Sequence, residues 1–180
     1  STSVAARGGR DSVASWLAMN NYSFDLYNKG TQTNATSISF RGYKKVIWVG
    51  EGTSVMSVVQ KDSIKAYLSN PAPGSKAHLA IFAEDIGYQF GRTGSTYLDL
   101  DFFNNWLGAN FVLDRPSTGA NQGLVGAHLN FNMTDSTVGS WPDVLSRFDP
   151  ATTHDLYTFR GDGASNAIGK VGATYNVTPF

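Results

Sequence analysis

Two apolar runs do most to limit what this chain can fold into. Lys45-Val-Ile-Trp-Val-Gly50 and Ala77-His-Leu-Ala-Ile-Phe-Ala83 are each of strand length. In the first, four apolar residues follow one another without alternation, the pattern of a strand buried on both faces at the centre of a parallel sheet. Between the runs lie Val58, Val59, Ile64, Tyr67 and Leu68 at helical spacing, stopped by Pro71-Ala-Pro73-Gly74. The alternation continues to either side. Val13, Trp16 and Leu17 predict a helix over 11–20 with one buried face, and Ser23–Tyr27 alternates as a short strand. Leu98, Phe102, Phe103, Trp106 and Leu107 predict another helix, and Asn110–Asp114 another strand. Helix and strand in turn predict an α/β fold of three layers, with a mostly parallel sheet and helices on both faces.

Residues 115–180 read differently, being rich in Gly, Asn, Thr and Asp. Strands are expected within 124–131, 157–160 and 167–175, a turn of helix at Trp141–Leu145, and a turn at Gly161-Asp-Gly163. No repeat and no linker divides the chain, so residues 1–180 are read as one domain.

Composition excludes several function classes. Lys plus Arg and Asp plus Glu are 14 each, without the basic stripe that nucleic-acid binding requires. The absence of cysteine rules out disulfides, thiolate metal sites and a cysteine nucleophile. No apolar stretch is long enough for a transmembrane segment. Charged residues are 16%, below the roughly 25% usual in soluble domains. The polar surface therefore falls to Ser, Thr, Asn and Gly, a composition common among extracellular and cell-surface proteins. Four N-x-S/T sequons, at Asn21, Asn34, Asn132 and Asn176, match the chance level for such a chain.

Tyr43-Lys-Lys-Val-Ile-Trp-Val-Gly50, Ile64-Lys-Ala-Tyr-Leu68, Leu79-Ala-Ile-Phe-Ala-Glu-Asp-Ile-Gly-Tyr88 and Phe102-Phe-Asn-Asn-Trp-Leu-Gly-Ala-Asn-Phe-Val-Leu-Asp114 together resemble a recurring domain of large secreted bacterial proteins. That domain is similar to the flavodoxin-like and class I glutamine amidotransferase folds. The resemblance spans about residues 10–115. It implies a flavodoxin-like parallel sheet lacking its first and last strands, and a chain that is a fragment or is completed by a neighbouring domain or partner chain. In the amidotransferases a strand enters a G-x-C-x-G-x-Q turn. Here Gly87 and Gln89 match the end of that pattern, Ala83 replaces its first glycine and Asp85 stands at the cysteine position. The resemblance thus implies that amidotransferase chemistry is lost, because a carboxylate does not attack an amide as a thiolate does.

The acidic end of the second strand is the main candidate site. Glu84 and Asp85 follow a strand that is expected to be parallel, the place where open α/β sheets bind ligands. Glu51 from the preceding strand's loop and Gln89 complete the expected ligand-binding set. Asp85 with Asp99 and Asp101 offers an oxygen-rich set suited to calcium. The competing structural readings are that Asp85 caps a turn or helix, and that Asp99 and Asp101 sit at a helix start. His78, His128 and His154 lack metal spacing, and no G-x-S-x-G elbow is present for His154-Asp155 to serve. Arg160-Gly-Asp162 is an integrin-type tripeptide of high chance frequency, and Trp48, Trp106 and Trp141 are expected in the core or at its rim.

The leading expectation is a non-catalytic structural or interaction module of a secreted or surface assembly, whose partners are other protein chains or neighbouring domains. The alternatives are a hydrolase or calcium-binding domain working at Glu84/Asp85, and a carbohydrate-binding module.

Overall fold

A computed structural model describes residues 9–27, 39–50, 56–71, 73–83, 85–114, 124–126, 143–160, 163–172 and 175–179. The elements in chain order are α1 (Gly9–Met19), β1 (Lys45–Gly50), α2 (Val58–Ser69), β2 (Ala77–Ala83), α3 (Ile86–Gly91), a π-helical segment (Asp101–Trp106), β3 (Ala109–Leu113), β4 (Leu124–Gly126), β5 (Val144–Arg147), β6 (Thr153–Phe159), β7 (Ser165–Val171) and β8 (Tyr175–Pro179).

The βαβ unit expected from the two apolar runs is present. Strand β1 pairs parallel with β2 from Lys45↔His78 to Gly50↔Ala83, with α2 as the crossover. Ser57 and Gln60 form a capping box at the start of α2. Each side chain accepts the other's backbone N–H, which satisfies two donors of the first turn.

The sheet itself overturns the expected three-layer, mostly parallel, flavodoxin-like architecture. Its order is β1-β2-β8-β7-β5-β3, with β4 and β6 branching from β7. Only β1, β2 and β8 run parallel, and the remaining pairs are antiparallel. The cause is connection length. Residues 160–164 separate β6 from β7, and residues 172–174 separate β7 from β8. Parallel neighbours need a crossover of about a dozen residues or more, so such short links return the chain antiparallel. The expectation of missing outer strands depended on the parallel order and goes with it.

The sheet forks at β7. Ser165 lies between Leu145 of β5 and Thr158 of β6, while Lys170 lies between Val177 of β8 and Thr153 of β6. Strands β5 and β8 therefore share one edge of β7, end to end. One arm of the fork is the parallel set β8-β2-β1, and the other is the antiparallel pair β5-β3.

Burial follows this plan. In β2, Leu79 and Ile81 are buried while His78 is exposed, so β2 is covered mainly on one face. Strand β1 is an edge among the described residues, with Ile47 exposed. Two-sided burial belongs instead to β5 and β7. Leu145 and Ile168 enter the main core with Ile64, Leu68, Phe90, Phe102 and Phe103, while Val144 and Ala167 join Tyr157 and Phe159 in a second cluster.

Several local expectations also change. Helix α1 forms, but Trp16 is exposed rather than buried. Residues 23–27 make no strand, and Phe24 and Leu26 face solvent. Val144 and Leu145 open strand β5 instead of ending a helical turn. The expected 98–107 helix is a π-helical segment, in which the Leu107 amide reaches back to the Phe102 carbonyl. The wider turn sets Phe102, Phe103 and Leu107 into the core together. Among the described residues, no helix is long and apolar enough to cross a membrane.

Candidate functional site

Three aspartates from separate elements converge where the two arms of the fork meet. Asp85 lies just beyond β2, at the turn into α3. Asp114 follows the last residue of β3, and Asp143 precedes the first residue of β5. Because Leu113 pairs with Val144, the antiparallel register brings Asp114 and Asp143 to the same end of that pair. One carboxylate oxygen from each of the three lies within 4.8 Å of the other two.

Helix α3 brings Asp85 to the other two. Gly87 makes this approach possible: a Cβ there would lie 2.8 Å from Leu145 Cδ2 and 3.0 Å from Asp143 Oδ2. Asp85 occupies the N-cap position of α3 in the left-handed region, with φ 58°, and its side chain makes no capping bond. The capping reading of Asp85 is thus replaced by another residue. Asp143 Oδ2 accepts the backbone N–H groups of Gly87 at 2.7 Å and Tyr88 at 3.3 Å, although it is 56 positions away in sequence from Gly87.

The electrostatics of Asp143 are unusual. It is 7% exposed, and its Oδ1 has no hydrogen-bond partner among the described residues. Burial pushes its carboxyl up to about 7, against the two backbone donors, and the nearby charges of Asp85 and Asp114 push the same way. Burial also raises Asp114, while Arg92 opposes that shift through space. The Arg92 guanidinium lies 3.7 Å from the centre of the Tyr88 ring and forms no ion pair with the cluster among the described residues. Among the described residues, the charge of Arg92 is therefore felt at Asp114, and no salt bridge joins a cation to Asp114 or Asp143.

The residues singled out in the sequence divide around this site. Asp85 is in it. Gln89 is buried on α3, and its backbone N–H bonds to the Asp85 carbonyl at 2.9 Å. Glu51 and Glu84 lie outside the described residues. Asp99 and Asp101 are not gathered with Asp85. Asp99 pairs with Lys61 and accepts the Phe102 N–H at 3.0 Å, and Asp101 pairs with Lys65 at 2.6 Å. Asp114 and Asp143 were not singled out. Each flanks a short apolar strand, but only the antiparallel register of β3 and β5 reveals that they meet.

His78 and His154 lie on β2 and β6 outside the cluster; His128, Trp141, Gly161 and Asp162 lie outside the described residues. Trp48 is buried, and Trp106 stacks on Tyr175 with centroids 6.2 Å apart.

No protein-family model matches the chain, and no curated protein sequence matches it. Among solved structures, the chain is similar to one described as the crystal structure of Agd3, a novel carbohydrate deacetylase. The two are 13% identical over 76% of this chain, with a TM-score of 0.33. This chain spans 29% of that protein's length. A superposition this loose assigns neither a fold nor an activity.

Proposed function

We propose that this chain is a non-catalytic module of a secreted or cell-surface protein that binds a divalent cation, calcium by preference, through Asp85, Asp114 and Asp143. The observation that carries the reading is the gathering of three carboxylates, one of which, Asp143, is buried with an oxygen, Oδ1, that has no hydrogen-bond partner among the described residues. An ionised carboxylate with an unsatisfied buried oxygen is costly unless a cation or proton completes it. Two oxygens bound to one calcium at about 2.4 Å lie at most about 4.8 Å apart, which the cluster satisfies. The donors are all oxygen, the choice of a hard cation rather than zinc or copper. Water supplies the remaining ligands, as is usual where a protein offers few.

The test is terbium luminescence, sensitised by Tyr88, whose backbone amide bonds to Asp143, followed by calcium displacement. The expected result is one saturable site with a calcium Kd in the range of about 10⁻⁴–10⁻³ M typical of extracellular modules, lost in Asp114→Asn. Absence of sensitised emission at millimolar terbium would remove the reading.

A second reading, carbohydrate binding, is favoured by a separate feature. Trp16 and Tyr22 are 55% and 54% exposed and stack with centroids 6.0 Å apart at 22°. Exposed aromatic faces of this kind suit the apolar face of a sugar ring. Retention on insoluble polysaccharide, abolished by Trp16→Ala and indifferent to chelator, would favour it over the cation reading.

A further inference from the structure

We infer that a cation held by Asp85, Asp114 and Asp143 is a clamp that joins the two arms of the forked sheet, so that α3 leaves the β3–β5 pair only after the cation is released. The inference rests on the cation reading above and assigns that site its role.

Helix α3 spans only Ile86–Gly91, too short to persist without tertiary support. It is seated by close backbone approach. At Gly91 a Cβ would lie 2.7 Å from both the Phe103 ring and Phe111 Cβ, and at Gly87 it would meet Leu145 and Phe111. Its first turn takes no cap from its own N-cap side chain. The Gly87 and Tyr88 amides depend on Asp143 from the other arm. The seat of α3 is therefore tied to the state of Asp143.

Without a cation, Asp85 and Asp114 and, above about pH 7 where it too is ionised, Asp143 repel one another across a partly buried gap. That repulsion pushes the β2–α3 turn away from the ends of β3 and β5. A cation reverses its sign at the same place. Asp143, only 7% exposed, offers for this contact its Oδ1, which has no hydrogen-bond partner among the described residues. Each ligand comes from a different segment, so ligation closes contacts that no single strand pairing makes.

The experiment is native-state hydrogen exchange on the intact chain at increasing calcium, after the calcium affinity has been set by terbium displacement. If opening of α3 requires release of the cation, protection of the Gln89 and Phe90 amides rises in proportion to one plus the ratio of calcium to Kd. That is about 100-fold at a hundred times Kd. Amides of β6 that exchange by local opening, with the cluster intact, serve as the reference and stay unchanged, whereas any that exchange only by global unfolding gain protection with calcium because unfolding also releases the cation. Asp114→Asn holds the α3 amides at their cation-free rate at every calcium concentration. Asp85→Asn makes the same comparison if Asp114→Asn does not fold by circular dichroism. Calcium binding with unchanged α3 exchange overturns the clamp and leaves the cation site standing. Absence of terbium binding overturns both.

Discussion

Asp143 Oδ2 sits 2.7 Å from the Gly87 amide nitrogen, while the other oxygen of the same carboxylate is buried with no hydrogen-bond partner among the described residues. One half of the group serves the fold, and the other half is the one the proposed cation would take. Substitutions separate the two. Asp143→Ala removes the acceptor for two backbone donors and costs about 1–3 kcal/mol for each buried N–H left unpaired. Asp143→Asn keeps an acceptor for Gly87 and Tyr88 and removes the charge. Chelator-treated Asp143→Asn is expected to match or exceed the parent in urea stability at pH 8, and to bind no terbium. Equal loss of stability in both variants would show that charge, and not the hydrogen bonds, holds α3 in place.

The same residue sets a pH dependence in the absence of cations. The Asp143 carboxyl stands at about 7 in the fold against 3.8 ordinarily. Between those values the folded state binds more protons than the unfolded chain, so stability falls as pH rises from about 4 to about 7. The difference of roughly three units corresponds to about 4 kcal/mol as an order of magnitude. Asp99 acts in the opposite sense and in another window. Its partner Lys61 and the Phe102 N–H hold its carboxyl below the ordinary value against desolvation, the largest single influence. Its contribution is present above pH 4 and is lost as pH falls below that. Urea unfolding at pH 4.5 and pH 7.5 with chelator checks the sign, and Asp143→Asn should flatten the upper window. A parent chain more stable at pH 7.5 than at 4.5 under these conditions would contradict the assignment.

What the sequence discloses stops at local range. The β1-α2-β2 unit is legible because its apolar runs, its helical spacing and the Pro71–Gly74 stop all lie within one stretch. The parallel sheet inferred from it fails because β6, β7 and β8 are separated by links too short for crossovers. Asp85 is legible from its place after an apolar strand. Asp143 is not, since its partners Gly87 and Tyr88 are more than fifty positions away and only register brings them together. Trp16 misleads because helical spacing specifies a face, whereas the fold decides whether anything covers it.

Gly87 is the position where a single methyl group tests the packing of α3. A Cβ at 2.8 Å from Leu145 Cδ2, 3.0 Å from Asp143 Oδ2 and 3.1 Å from Phe111 Cδ2 requires all three to yield. Overpacking of this kind costs about 1–3 kcal/mol. Gly87→Ala should lower the melting temperature and weaken terbium binding together, because the displaced α3 carries Asp85 with it. An unchanged affinity in a destabilised Gly87→Ala would mean that Asp85 is positioned by the β2 turn alone.

Lys61 and Asp99 distinguish a structural carboxylate from a cation ligand. Lys61 is buried, pairs with Asp99, and lies 5.0 Å from the centre of the Phe90 ring and 5.9 Å from that of Phe102. A pair this enclosed contributes little relative to an apolar replacement, yet removing one partner is costly, because it strands the other charge. Lys61→Met should therefore destabilise the chain by about 3 kcal/mol, and adding Asp99→Asn should restore much of the loss. Thermal unfolding of the two single variants and the double variant closes the cycle. Calcium affinity reads the other half of the question. If Asp99 only anchors α2 to the turn before the π-helical segment, the double variant binds calcium as the parent does. If affinity falls more than tenfold while the fold is retained, Asp99 reaches the cation after all, and the site extends from the fork of the sheet toward α2.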